Sequence, residues 1–109
     1  MASQQGTVDF LVDQFAAAGV VSARKMFGEY AIYCDGKMFA LVCDDRLFIK
    51  PTAAAKAWLG EPMEAPPYPQ AKPWYVVAGD HWDDREWLAE LARRTAAELP
   101  PPAARKKRK

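Results

Sequence analysis

The sequence predicts a two-layer α+β domain built on an antiparallel sheet, in the order helix, three strands, helix, one or two strands, helix. Three observations lead there. Apolar residues recur at helical spacing over residues 7–18 and again from Asp83 to Leu99. Residues 22–50 change to strand-like runs separated by turn signals, and a proline-crowded stretch, 61–73, precedes one more β-rich run. At 109 residues, half of them hydrophobic, the chain is sized for one domain with one modest core.

In the first helix, Val8, Leu11, Val12 and Phe15 form a single apolar stripe at i, i+3, i+4 and i+7. Thr7 is placed to cap its start and Gly19 to close its end. Three strands are predicted near 24–34, 37–43 and 46–50. Asp35-Gly36 is a strong two-residue hairpin signal, because a type I′ turn needs positive φ at both central positions. Asp44-Asp45 is placed for a second tight turn. Gly28 reads as a bend or bulge within the long first strand.

That hairpin register sets Cys34 beside Lys37 and Cys43 opposite Gly28. Roughly six residue steps of ~3.3 Å then separate the thiols by about 20 Å, whereas a disulfide needs Cα atoms within about 7 Å. Both cysteines therefore read as unpaired, small apolar strand residues. The same register predicts one face of Tyr30, Ile32, Phe39, Leu41 and Phe48, and another of Ala31, Tyr33, Met38, Ala40, Val42, Leu47 and Ile49. Two apolar faces on one sheet call either for cover on both sides within the chain or for a second chain, and a homodimer is expected.

Residues 52–59 read as a short helix capped by Thr52 and ended by Gly60. Five prolines in residues 61–73 place that stretch in a loop, with a weak edge strand near Met63–Tyr68. Residues 74–77 are a strand. The last helix begins at Asp83 as N-cap, with Glu86 completing a capping box and Trp82 and Trp87 placed as a hydrophobic staple. Leu88, Leu91, Ala92, Thr95 and Leu99 make its inner face, Glu90–Arg94 is a favourable i,i+4 pair, and the prolines from 100 stop it. Residues 1–99 thus form the domain, and 100–109 a Pro/Ala and then basic tail expected to be disordered.

Charge is divided unevenly. Net charge is +1, yet Arg105, Lys106, Lys107, Arg108 and Lys109 hold 5 of the 15 Lys and Arg. The remainder carries 10 basic against 14 acidic residues. A folded nucleic-acid binder carries its positive patch on the domain itself; here only the tail offers phosphate contacts, weak and salt-sensitive in kind. No apolar run is long enough to span a bilayer and no secretory signal pattern opens the chain, so membrane attachment is not expected and a cytoplasmic location is.

The run Met26-Phe27-Gly28-Glu29-Tyr30-Ala31-Ile32-Tyr33, continued by Asp35-Gly36-Lys37 and by Asp45-Arg46-Leu47-Phe48-Ile49-Lys50, resembles the TfoX (Sxy) N-terminal domain. Its signature positions here are Met26, Phe27, Gly28, Tyr30, Ile32, Tyr33, Asp35, Gly36 and Lys37. The resemblance implies a fold like that of dimeric type III secretion chaperones. It also implies kinship with regulators of competence genes that act with a cyclic-AMP receptor protein at promoters. Those regulators carry a second, helical domain, so this chain is similar to the stand-alone versions. The resemblance implies transcription machinery or a receptor protein as partner, and it brings no catalytic residue and no cofactor.

Candidate chemistry outside the resemblance is sparse. His81 lies among Asp80, Asp83 and Asp84, but helix capping and the macrodipole explain the last two, and a zinc site calls for more His or Cys. No phosphate-cradling glycine motif occurs. Trp58, Trp74, Trp82 and Trp87 stand at core spacing rather than as a base-stacking platform interleaved with cations. The leading expectation is a non-enzymatic regulatory or protein-interaction domain. A nucleic-acid-associated protein using the tail is the first alternative, and an enzyme or metal protein around His81 the second.

Overall fold

The computed structural model describes residues 4–26 and 29–100. Its elements are α1 (Gln5–Phe15), β1 (Val21–Met26), β2 (Glu29–Cys34), β3 (Lys37–Cys43), β4 (Arg46–Ile49), α2 (Ala53–Leu59), β5 (Met63–Ala65), β6 (Trp74–Val77) and α3 (Arg85–Ala97), with short 3₁₀ turns at Ala16–Ala18 and Gly79–His81. The strands form one antiparallel sheet in the order β1-β2-β3-β4-β6-β5. The fold class is α+β, as the sequence predicts.

The first predicted strand is two strands. Residues 24–34 do not run straight: β1 and β2 pair antiparallel, with Val21 opposite Cys34 and Met26 opposite Glu29. Phe27 and Gly28, read as a bend within one strand, lie between them and outside the described residues. The sheet therefore gains an edge strand that the apolar pattern hides, because β1 is exposed from Ser22 to Lys25 and reads as polar. Both tight turns form as predicted, with positive φ at Asp35 and Gly36 and at Asp44 and Asp45.

A bulge changes the faces. The β2–β3 register passes from Ile32↔Ala40 to Tyr33↔Met38, so β2 skips Phe39, whose carbonyl accepts a hydrogen bond from Lys50 N–H at 2.9 Å. One extra residue flips every side chain beyond it. Phe39 and Ala40 consequently fall in the same cluster, together with Tyr30, Ile32, Val42, Leu47 and Ile49. Leu41 and Phe48 instead join Ala31, with Tyr33 and Met38 packed alongside. The two predicted faces are thus corrected on β3 and β4. Tyr30 stands opposite Val42, which also displaces Cys43 from its predicted alignment with Gly28.

The helices pack on the Tyr30–Ile32 face. Val8, Leu11 and Phe15 of α1 and Leu88, Leu91 and Ala92 of α3 share its cluster, and Phe15 meets Phe39 edge-on at 5.0 Å between ring centroids. Cover of each large side chain at this depth stabilises the fold by about 1.5–3 kcal/mol. Helix α1 starts two residues before its predicted cap: Gln4 is the N-cap and makes no side-chain bond, so the Thr7 cap is corrected. Thr52 caps α2, accepting a hydrogen bond from Ala55 N–H at 3.0 Å, and Gly60 ends it at φ +89°. The cap of α3 is Asp84, not Asp83; its carboxylate accepts from Trp87 N–H at 3.1 Å. A 3₁₀ turn delays the start, with Asp84 N–H bonded to His81 O. That one-residue shift puts Glu86 at the second rather than the third helical position, and Trp87 stacks on His81 at 4.1 Å instead of serving as the staple to Trp82.

The opposite face carries the second cluster of Ala31, Leu41, Cys43 and Phe48, all buried. Arg46 lies over Phe48, 5.2 Å from the ring centroid. Part of the cover comes from the proline-rich segment. Strand β5 is outermost, with β6 and β4 between it and β3. Yet Tyr68, three residues after β5, lines the same groove as Cys43 of β3 and Met26 of β1. The segment after β5 therefore crosses this face, and Pro67 within it is buried.

Candidate functional site

The predicted signature residues build architecture more than a site. Ile32 is wholly buried and Tyr33 half-buried, on opposite faces. Tyr30 O–H donates to Gln5 Oε1 at 3.0 Å, tying the sheet to the start of α1. Lys37 Nζ donates to the Ala96 carbonyl at 3.2 Å, neutralising a helix C-terminus. Asp35 and Gly36 make the turn. Arg105–Lys109 lie outside the described residues.

His81 is exposed, and its ring lies parallel to Trp87 at 12°. Trp87 in turn meets Trp58, 6.2 Å away, and Arg94 sits over Trp58 at 4.5 Å. The Trp58 indole N–H donates to the Trp87 carbonyl, and that of Trp82 to the Val77 carbonyl. These tryptophans fasten α2 and the 3₁₀ turn to α3. Among the described residues, no three His, Cys, Asp or Glu side chains gather as metal ligands.

The two cysteines are free, and they belong to different faces: Cys34 to the helix-covered cluster, Cys43 to the other. Burial, with Asp35 next, pushes the Cys34 thiol up. Burial, with Glu29 next, pushes Cys43 up to about 11. Neither is a thiolate at neutral pH, so neither is an activated nucleophile.

The site the structure does assemble is a groove of about 280 Å³ at one end of the second sheet face. Among the described residues, Met26, Glu29, Tyr30, Cys43 and Tyr68 line it. Its walls are largely apolar. Glu29 Oε2 at its rim accepts a hydrogen bond from Asp44 N–H at 3.1 Å, and Tyr68 is 57% exposed. At about 280 Å³ the volume falls just below the usual range for small-molecule sites. Met26 and Tyr30 come from the predicted signature. Tyr68, Glu29 and Cys43 do not. Tyr68 was signalled only by its place between Pro67 and Pro69, where a stiff segment holds an aromatic ring away from its own strand.

A six-stranded antiparallel α+β domain with a small apolar groove and neutral thiols is thus the class that fold and site define. Residues 13–99 match the TfoX N-terminal domain family, and the chain belongs to it. It is also 41% identical over 106 residues to the uncharacterised 12.7 kDa protein in the trpE 5′ region of Spirochaeta aurantia, an alignment covering 97% of this chain and 91% of that one. Among the described residues, no helix is long and apolar enough to cross a membrane.

Proposed function

We propose that this is a non-enzymatic, cytoplasmic protein-interaction domain that acts in transcriptional regulation of competence-type genes and contacts its partner through the groove at Tyr68. The observation that carries this reading is the groove itself: an apolar recess rimmed by an exposed aromatic on a proline-stiffened segment. Exposed aromatics beside recesses are what protein partners bury as energetic anchors. Membership of the TfoX N-terminal domain family supports the regulatory context. The groove offers apolar walls, one carboxylate and one protonated thiol, that of Cys43, a set suited to packing rather than to bond-making.

Self-association belongs to the same proposal in a narrower form. The proline-rich segment takes over part of the cover that a second chain was expected to supply. Tyr33, Met38 and Trp74 remain half-buried on that face, and a symmetric pair would join them across a two-fold axis.

The test is affinity capture on the full chain from native lysate, with and without nuclease, using the native protein and Tyr68→Ala. Transcription proteins retained after nuclease by the native chain, and lost from the variant, are the expected result. Material released by nuclease from both proteins alike would overturn the reading and move the function to nucleic acid.

A further inference from the structure

Strands β5 and β6 are a hairpin whose last pair is Ala65 with Trp74. Its loop, residues 66–73, folds back over the second sheet face, where Tyr68 shares the groove with Cys43 and Met26. Among the described residues no helix packs on that face, yet Ala31 and Phe48 are fully buried there and Cys43 is 4% exposed. The loop is lightly held for a segment in this position. Pro67 is its one buried residue, Ala71 is half-buried, and the other six are exposed. Among the described residues, one hydrogen bond involves it, from Ala71 N–H to the Tyr68 carbonyl at 3.1 Å. That bond closes a turn with Pro69 second and Gln70 third, and Gln70 has φ +74°. Proline at the second position with positive φ at the third is the type II turn, whose third position favours glycine. The Cβ of glutamine is strained there. A segment with few buried contacts and few backbone bonds opens at a lower free energy than the whole domain.

We propose that residues 66–73 are a displaceable strap. Closed, it shields the apolar face at Cys43, Leu41 and Phe48; open, it swings about Ala65 and Trp74 and bares that face while the rest stays folded. Prolines 66, 67, 69 and 73 limit bending within the strap, so the motion falls at its two ends and at the Tyr68–Ala71 turn. The rest of the sheet need not change. Strand β6 pairs with β4 through Leu47, Phe48 and Ile49, without the loop, and the core under α1 and α3 lies on the other face. A partner that needs the bared face binds with its affinity reduced by the open fraction. The strap then regulates the groove. That consequence rests on the partner-binding reading; the motion itself does not.

The two free thiols report on the motion from opposite faces, Cys43 in the groove beside Tyr68 and Cys34, 1% exposed, in the helix-covered cluster. The full-length native protein, Tyr68→Ala and Gln70→Gly are treated with iodoacetamide near neutral pH, in buffer and in low urea. Peptide mass spectrometry follows the alkylated fraction of each cysteine. Both thiols react more slowly than in the unfolded chain. Cys43 is expected to react at least about tenfold faster than Cys34, and to depend less on urea, because lifting the strap exposes less surface than global unfolding. Tyr68→Ala removes the ring that holds the strap and is expected to speed Cys43 by about tenfold while Cys34 keeps its rate. Gln70→Gly relieves the turn and is expected to slow Cys43 by about threefold. A Cys43 rate no greater than that of Cys34, with the same urea dependence, overturns the proposal, because Cys43 is then reached by global unfolding. So does Tyr68→Ala speeding both thiols alike. So does a Cys43 rate that Gln70→Gly leaves unchanged or raises, because the thiol is then reached past a closed strap. All of this is read with no partner present, so failure of the strap and failure of the partner-binding reading are told apart.

Discussion

Asp35 and Val20 hold each other twice: the Val20 amide donates to Asp35 Oδ1 at 2.9 Å, and the Asp35 amide donates to the Val20 carbonyl at 2.8 Å. The pair ties the β2–β3 turn to the link between α1 and β1, although Val20 itself is 75% exposed. Asp35 also occupies φ +53°, which Asp and Asn tolerate better than other side chains. Asp35→Ala is therefore expected to cost about 1–2 kcal/mol from the lost bond and the strained turn. Asp35→Asn, which keeps both an acceptor and the turn preference, should cost less. Urea unfolding of the three proteins checks the order.

Gly19 adds a coupled test. Its φ is +155°, and a Cβ there would lie 2.9 Å from Asp35 Oδ2. Gly19→Ala is expected to destabilise, and part of the loss should vanish when Asp35→Ala is also present. A double-mutant cycle reads this directly; strict additivity would show that the crowding is relieved some other way.

Phe39→Ala should be among the most damaging core changes, costing about 3–5 kcal/mol. Phe39 is the inserted residue of the bulge, fully buried and edge-on to Phe15. Thermal or urea unfolding measures it.

The cap of α3 can be placed by substitution. Asp84→Ala is expected to cost about 1 kcal/mol, whereas Asp83→Ala, one residue outside the helix, should change stability by a few tenths. Equal losses would put the helix start elsewhere.

High pH should loosen the fold through Cys43. Its thiol ionises near 9 when unfolded and at about 11 when folded. Between those values the unfolded chain has lost the proton and the folded chain keeps it, so stability falls as pH rises, by at most about 1.4 kcal/mol per unit. Cys43→Ala should flatten that part of the stability curve. At pH 7–8 both thiols of the native protein should resist a thiol reagent and react once urea unfolds it.

Much of the fold was legible because its signals are local. Thr52 and Gly60 bracket α2, the Asp35-Gly36 and Asp44-Asp45 pairs turn the hairpins, and Leu88, Leu91 and Ala92 repeat on the inner face of α3. The parts that were not legible depend on tertiary context. Val21–Met26 looks polar because the middle of this edge strand, Ser22 to Lys25, is exposed and only its two ends are partly buried. The bulge at Phe39 leaves no mark in an apolar run where every residue is acceptable on either face, yet it exchanges Leu41 and Phe48 with Ala40, Val42, Leu47 and Ile49. The start of α3 moved from Asp83 to Asp84 because two adjacent aspartates are equally able to cap, and the preceding 3₁₀ turn decides between them. The site suffered most. Proline content excluded a central strand over 61–73 but said nothing of which face the segment would cross, so Tyr68 went unrecognised.

The most direct measurement of the central claim is photo-crosslinking in living cells from a benzophenone amino acid placed at position 68, with a second protein carrying it at the exposed position 86 on α3 as control. The interaction reading requires position 68 to capture a transcription-regulating protein that position 86 does not. A folded protein whose position 68 captures nothing, or captures only what position 86 also captures, would contradict the assignment of the groove as the partner-binding surface.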